Sequence, residues 1–170
     1  MAVKSNFMED WVPPALRQGM NSLIDQARFM KYPHKNILRK NQELKNAGVG
    51  KRAFLLTTGP SIKKENLQAL AGEDCFSVSN FFVHEDINHI QPKFHFFAPY
   101  HKPLILENYV EWLKLSDETL PNSTTIVLGH SGKEIVDTYS LFPSRKVVYI
   151  YLAGNVPGPI DLPRPVLYQR

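Results

Sequence analysis

Short apolar runs alternate with amphipathic segments along most of this 170-residue chain, and this alternation limits the fold more than any other feature. Consecutive strands that are separated by a helix pair in parallel, because parallel neighbours need a long crossover connection. The predicted strands are residues 53–57, 75–79, 94–98, 125–128 and 147–152. The predicted helices between them are residues 62–70, residues 103–115 and a helix that starts at the capping box Ser131–Glu134. The pattern therefore predicts an α/β fold, a Rossmann-like three-layer parallel sheet of about five strands.

The N-terminal segment has the periodicity of helices and precedes the first predicted strand. Residues 13–30 begin with two prolines, which suits a helix start, and apolar side chains then recur at helical spacing. The residues on this apolar face are Leu16, Met20, Leu23, Ile24 and Ala27. A second helix is predicted over residues 34–46, where two glycines then stop it. We therefore expect residues 1–50 to be a helical extension and residues 51–170 to be the Rossmann-like domain.

Charge separates the same two parts of the chain. Residues 1–52 contain 10 Lys/Arg against 4 Asp/Glu, whereas residues 53–170 contain 10 against 12. The basic excess therefore belongs to the extension. Such a basic helical segment either presents a solvated face or contacts an anionic membrane. We expect no nucleic-acid partner.

Composition excludes several classes of protein. No apolar run approaches the roughly 20 residues that span a bilayer, and the N-terminal residues, which include Glu9 and Asp10, contain no apolar signal-peptide core. The single cysteine, Cys75, rules out a disulfide framework and is expected to be a buried, inert thiol. No Cys/His cluster has zinc spacing and no Asp-x-Asp pair is present, so no metal site is expected. These features predict a cytoplasmic protein that is at most peripheral at the inner membrane.

The end of the first predicted strand has the chemistry of a phosphate site. The apolar run ends in Thr57 and Thr58 and is followed by Gly59, Pro60 and Ser61. A strand that turns at a glycine into a helix start brings free backbone N–H groups together, and glycine lets an anion approach the backbone closely. The alternative is a well-capped helix start that binds nothing.

Polar side chains also follow the other strands, and parallel strands place these ends at one edge of the sheet. Asn80 follows the second strand and either hydrogen-bonds a ribose, base or phosphate or stabilises its own turn. His101 and His130 follow the third and fourth strands and are weak candidates for an acid, a base or a phosphate partner. His95 lies inside a strand and is predicted to be structural, while Gly154 and Asn155 follow the fifth strand.

Three ordered motifs resemble a known group of enzymes. They are Thr58-Gly59-Pro60-Ser61, Ser79-Asn80-Phe81-Phe82 and the run Ile90-Gln91-Pro92-Lys93-Phe94-His95-Phe96-Phe97. This order is similar to that of the bacterial sialyltransferases that act on lipooligosaccharide. It also resembles the related superfamily of 6-hydroxymethylpterin diphosphokinase-like proteins and motility-associated glycosylation factors. The similarity covers roughly residues 52–170.

The resemblance implies a glycosyltransferase-like protein of cell-surface glycan synthesis. In the sialyltransferases the corresponding Gly-Pro-Ser turn and the asparagine hold the CMP part of CMP-sialic acid. The nucleotide-binding residues implied here are Thr58, Gly59, Pro60, Ser61, Asn80 and Phe81. The family needs no metal or other cofactor, and its partners are a CMP-linked sugar donor and a glycan acceptor. A diphosphokinase-like protein would instead use ATP with Mg²⁺.

The chain departs from the sialyltransferase pattern in two places. It has Ala98-Pro99 where the family has asparagine before proline, and no counterpart of the family's second half, with its catalytic histidine, is found before Arg170. The C-terminal part of the fold therefore looks incomplete, which leaves open whether the chain is an enzyme or a non-catalytic binding domain. We expect weak nucleotide binding, no appreciable transfer, and homo-oligomers formed through an open sheet edge.

Overall fold

The computed structural model describes residues 13–151. These residues divide into two compact units, residues 36–150 and the combination of residues 13–35 with Tyr151. In the latter unit, helix α1 (Pro14–Lys31) confirms the predicted first helix and starts at the second of two prolines. The rings of Phe29 and Tyr32 contact Tyr151 edge-on, with centroids 5.1 and 5.9 Å apart. No helix within residues 13–151 is long and apolar enough to cross a membrane.

The larger unit is built around a sheet of five parallel strands, which confirms the predicted α/β, Rossmann-like class. The strands are β1 (Ala53–Leu56), β2 (Asp74–Val78), β3 (Phe94–Phe96), β4 (Thr125–Gly129) and β5 (Val147–Ile150). They pair in sequence order, from β1 at one edge to β5 at the other. Every pair of neighbours is parallel, so all five carboxyl ends lie at one edge of the sheet.

The helices of the larger unit are short, and several differ from the predicted ones. They are α2 (Lys35–Arg39), α3 (Ile87–Ile90), α4 (Leu106–Thr119) and α5 (Lys133–Tyr139). The predicted helix 34–46 is α2 followed by a 3-10 segment, Lys40–Leu44. The predicted helix 103–115 is observed as α4, which begins and ends a few residues later. The predicted capping box at Ser131 is wrong, since α5 starts after a 3-10 turn and Gly132 makes no side-chain cap.

The predicted helix over residues 62–70 is also wrong. Two 3-10 segments occupy this stretch, Pro60–Lys64 and Leu67–Leu70. Glu65, with extended backbone at ψ 142°, and Asn66, at φ −81° and ψ 86°, separate them with non-helical backbone. Asparagine favours such breaks because its side chain competes for backbone hydrogen bonds. The connection after β1 therefore has no long helix dipole.

The hydrophobic core lies against one face of the sheet. Leu56, Cys75, Ile126, Leu128 and Tyr149 alternate along the strands and pack with the intervening helices and 3-10 segments. Cys75 is fully buried, and burial raises the pKa of its thiol, which agrees with the expected inert cysteine. A sequential strand order with right-handed crossovers places all connections on this face. The other face carries a half-buried aromatic group, in which Phe76 contacts Phe94 and Phe96 at 5.3 and 6.2 Å.

The two edges of the sheet differ. Asn41 donates a 2.7 Å hydrogen bond to the Tyr149 carbonyl of β5, and Lys146 pairs with Glu43 at 3.0 Å. The segment Lys40–Leu44 thus covers part of the β5 edge, which we expected to be open. Among the described residues, β1 and β5 each have a neighbouring strand on one side only, and β5 is in addition contacted by this segment. The proline-rich stretch 157–165, together with Gly154 and Asn155, lies outside the described residues.

Candidate functional site

Two of the predicted motifs meet at the carboxyl edge of the sheet. Strands β1 and β2 are neighbours, and Leu56 at the end of β1 pairs with Ser77 near the end of β2. Neighbouring strands lie about 4.8 Å apart, so the segments that leave these two strands start side by side. The turn Thr58–Ser61 and the pair Ser79–Asn80 are those segments. The two motifs therefore follow neighbouring strands at the same edge of the sheet.

Gly59 occupies a position at which the fold does not require glycine. Its backbone is extended, at φ −64° and ψ 147°, which any residue adopts. A Cβ atom added here would meet Ser61 Oγ at 3.8 Å and Thr57 Oγ1 at 4.0 Å, which are ordinary contacts. Two hydroxyl groups therefore flank an open approach to the Gly59 backbone. A close ligand would explain the glycine, since neither backbone strain nor packing does.

Lys63 and Lys64 add positive charge immediately after this turn. Both side chains are exposed and lie in the last turn of the 3-10 segment that Gly59 precedes. Sequence reasoning did not include them in the site, although two adjacent cations three residues beyond a Gly-Pro pair are a readable signal for an anion. Because the helix dipole expected here is missing, these ammonium groups are the main electropositive groups of the β1 turn.

Asn80 is exposed, and its side chain is held by a residue that the sequence did not suggest. Trp112 of α4 donates from Nε1 to Asn80 Oδ1 at 2.6 Å. The indole packs edge-on against Phe97, with ring centroids 4.8 Å apart, and this contact fixes its orientation. No local sequence signal links positions 80 and 112, because the contact spans 32 residues. Asn80 thus bonds across elements rather than to its own turn.

Phe81, which the resemblance places in the nucleotide site, lies in the core. It is 2% exposed and its ring stacks on His84 at 5.0 Å, with only 6° between the two planes. A ligand at the surface does not reach this ring. Phe81 instead anchors the 3-10 segment Ser79–Val83, on which Asn80 stands.

His95 is structural, as predicted, and it supports the β2 turn. It is fully buried between Ser77, whose Oγ lies 2.7 Å from His95 Nδ1, and the Ser79 carbonyl, which lies 3.0 Å from Nε2. A carbonyl only accepts, so Nε2 carries the proton and Nδ1 accepts from the Ser77 hydroxyl. Burial lowers the pKa of His95 to about 4, so the ring is neutral near pH 7. Its bond holds Ser79 in a left-handed conformation, with φ 55°.

The two candidate histidines share the carboxyl edge but follow other strands. His101 is exposed in the loop between β3 and α4, and its Nδ1 lies 3.2 Å from the Lys102 carbonyl. His130 is half-buried directly after β4, where burial lowers its pKa despite a hydrogen bond with the Ile150 backbone. Strand order places them beyond β2, at β3 and β4, rather than beside the Gly59 turn.

An open cavity of about 440 Å³ lies at the opposite edge, around the amino ends of β2 and β3. Asp74 and Lys93 line it and pair with each other at 3.2 Å. Size alone would favour this hollow, but its charged groups are already paired, whereas the β1 and β2 turns present donors without such neutralisation. No group of three or more potential metal-ligating side chains occurs within residues 13–151.

Comparison of this chain with protein-family models, with curated proteins and with solved structures gives no match. The assignment of a function therefore depends on the chemistry of the residues at the carboxyl edge of the sheet.

Proposed function

We propose that this protein binds a nucleotide-activated sugar, with a CMP-linked donor, at the carboxyl ends of β1 and β2. It would act as a glycosyltransferase-like, sialyltransferase-like protein in the synthesis of a cell-surface glycan such as lipooligosaccharide. The observation that supports this best is the juxtaposition of the Gly59 turn with Asn80. Both are surface groups suited to an anion or a sugar, and both follow neighbouring parallel strands.

The phosphate of the nucleotide would lie over the β1 turn. Gly59 admits it to the backbone, Thr57 and Ser61 offer hydroxyl donors beside the glycine, and Lys63 and Lys64 supply the charge. Pro60 has no N–H to contribute and fixes the chain direction after the glycine. Asn80 on the adjacent strand would bind a neighbouring oxygen of the same ligand. The resemblance in motif order supports the identity of the donor.

A base for sugar transfer would come from a histidine at the same edge. We propose His130 for this role, because its ring is half-buried directly after β4, whereas His101 lies in an exposed loop. The proposed step is deprotonation of the acceptor hydroxyl as it attacks the anomeric carbon and the CMP group leaves. His130→Gln would abolish any transfer activity while CMP binding persists.

Calorimetric titration with CMP, CDP, UDP and ATP, with and without Mg²⁺, tests the proposal. Metal-free binding of CMP supports it. Binding of ATP only with Mg²⁺ would replace it with the diphosphokinase-like function, and binding of none of the four would leave a non-catalytic interaction domain.

Substitution of Gly59 tests whether CMP binds at the turn that follows β1. Gly59→Val should weaken CMP binding by about tenfold or more without unfolding the protein, since a side chain there blocks the anion but strains nothing. Gly48→Val is the matched control, because no atom lies within 4 Å of a Cβ at that position. Equal loss in both variants, or no loss in Gly59→Val, would move the site elsewhere.

We also propose that α1 contacts an anionic membrane surface. Its apolar face is open, with Leu16 63% and Leu23 67% exposed, and the helix contains three Arg/Lys against one Asp. Leu16→Ser with Leu23→Ser should weaken binding to phosphatidylglycerol vesicles by about tenfold at low salt. Leu115→Ser, at a 48% exposed leucine of α4, should leave it unchanged. Equal binding to phosphatidylcholine vesicles would contradict the charge contribution.

A further inference from the structure

The two polar atoms of the Asn80 side chain differ in their hydrogen bonding. An indole N–H donates and never accepts, so the amide atom 2.6 Å from Trp112 Nε1 must be the oxygen of Asn80. This contact uses one of the two lone pairs of that oxygen. The amide nitrogen, on the other branch of the side chain, is then the group that Asn80 offers to a ligand, and it can only donate.

The backbone under Asn80 is fixed as well. The Ser79 carbonyl that accepts from His95 Nε2 belongs to the peptide that joins Ser79 to Asn80. His95 therefore orients this peptide, and the Ser77 hydroxyl orients His95. The left-handed Ser79 is a costly conformation for a residue with a side chain, and it persists because the buried imidazole holds it.

The other end of the network is equally rigid. Trp112 packs against Phe82 and Phe97, with ring centroids 6.0 and 4.8 Å away, and both phenylalanines are buried. The indole N–H thus emerges from an aromatic cluster that has no room to rotate it freely. Asn80 is held from below through Ser79 and from the side through Trp112.

We propose that Asn80 is a dedicated donor that recognises a phosphate oxygen of the ligand, with Trp112 and His95 as the residues that position it. This inference rests on the proposed nucleotide site and specifies its selectivity. The neighbouring β1 turn is cationic through Lys63 and Lys64, which agrees with an anionic acceptor at this place. A ligand that presents only donors would leave the amide nitrogen of Asn80 without an acceptor.

The Asn80→Asp variant tests whether the Asn80 side chain donates a hydrogen bond to the ligand or accepts one from it. Aspartate keeps an oxygen for Trp112 and replaces the donor with a second, negatively charged oxygen. We expect CMP affinity to fall about 100-fold, because a charge-assisted donor becomes a like charge. Unchanged CMP affinity in Asn80→Asp would overturn the inference, because the ligand atom would then be a donor or lie elsewhere.

Trp112→Phe tests the positioning role. Phenylalanine keeps the aromatic packing and removes the N–H, which leaves the amide free to turn over, so we expect about tenfold weaker CMP binding. Tyr109→Phe is the matched control on the same helix, since it also deletes a single donor, the hydroxyl that bonds the Ala98 carbonyl at 2.9 Å. Equal affinity in Trp112→Phe and wild type, or equal losses in both variants, would overturn the positioning role.

Fluorescence distinguishes failure of this inference from failure of the proposed function. In a Trp11→Phe background Trp112 is the remaining tryptophan. Without ligand, Asn80→Ala should shift its emission and Asn80→Asp should not, and no shift with alanine would disprove the contact itself. Asn80-dependent binding of inorganic pyrophosphate without binding of CMP would overturn the CMP donor and keep the inference. Wild-type protein that binds neither probe would overturn both.

Discussion

The two edges of the parallel sheet differ in whether their charged and polar side chains are paired with one another. At the amino edge, ion pairs join residues next to neighbouring strands: Arg52 with Glu73, and Lys93 with Asp74 at 3.2 Å. The Arg52 guanidinium lowers the pKa of Glu73 through its hydrogen bond, although both groups remain open to water. At the carboxyl edge, the Asn80 amide and the two adjacent lysines of the β1 turn present donors toward solvent.

The two edges therefore differ in how available their charged and polar groups are to an ionic ligand. The amino-edge cavity is lined by charges that neutralise one another, so an ionic ligand would have to compete with existing pairs. At the carboxyl edge, the exposed Asn80 side chain is instead held by Trp112 and, through the Ser79 carbonyl, by the buried His95. Rigid support for an exposed polar group is a stronger sign of binding than volume.

The largest effect is expected at the carboxyl edge, where the buried His95 should make the free energy of unfolding depend on pH. The pKa of His95 is about 4 in the folded protein against about 6.5 in the unfolded chain, so the unfolded state binds more protons between these values. The contribution of His95 to the free energy of unfolding is fully present above pH 6.5. It is lost as the pH falls toward 4, by about 3 kcal/mol. Urea unfolding of wild type at pH 7 and pH 4 measures it.

The matched variant for that measurement is His95→Gln, which keeps a donor for the Ser79 carbonyl and does not titrate. Its loss of stability between the two pH values should be smaller than that of wild type by roughly the contribution of the histidine. His130→Gln provides the comparison at a half-buried histidine whose pKa is also lowered by burial. Parallel pH profiles for wild type and His95→Gln would show that His95 is not held neutral.

The next effect concerns the cations of the β1 turn. Lys63→Gln with Lys64→Gln should weaken CMP binding by about tenfold at low salt, and the loss should shrink as salt rises, because exposed charges are screened. Asp74→Asn, which breaks the ion pair at the amino edge, is the control and should leave affinity unchanged. If Asp74→Asn weakened CMP binding and the double lysine variant did not, the ligand would bind at the amino-edge cavity.

The smallest effect is expected from the amino edge itself. Lys93→Gln removes one partner of a pair whose lysine side chain is 41% exposed, so the free energy of unfolding should change by about 0–1 kcal/mol. Thermal unfolding in low and high salt measures it. A loss well above this range would mean that the pair organises the amino edge, and the contrast between the two edges would weaken.

Local sequence patterns were sufficient for the strands and for their common direction. The apolar runs around Leu56, Cys75 and Ile126 are too short for helices and are separated by connections long enough for crossovers, so a parallel sheet follows from chain geometry. Helix limits were less predictable. Residues 62–70 have helical spacing, but Glu65 and Asn66 interrupt them with non-helical backbone directly before the buried Leu67.

The candidate site divides in the same way. The sequence by itself determined that Gly59 and Asn80 each follow a strand, since both motifs are local. Only the tertiary structure decided that these strands are neighbours, that Phe81 is buried, and that Trp112 fixes the direction of the Asn80 amide. The physical reason is the sequence separation of the interacting residues. Adjacent residues determine the conformation of a turn, whereas packing of the sheet against the helix selects the partner of a hydrogen bond across 32 residues.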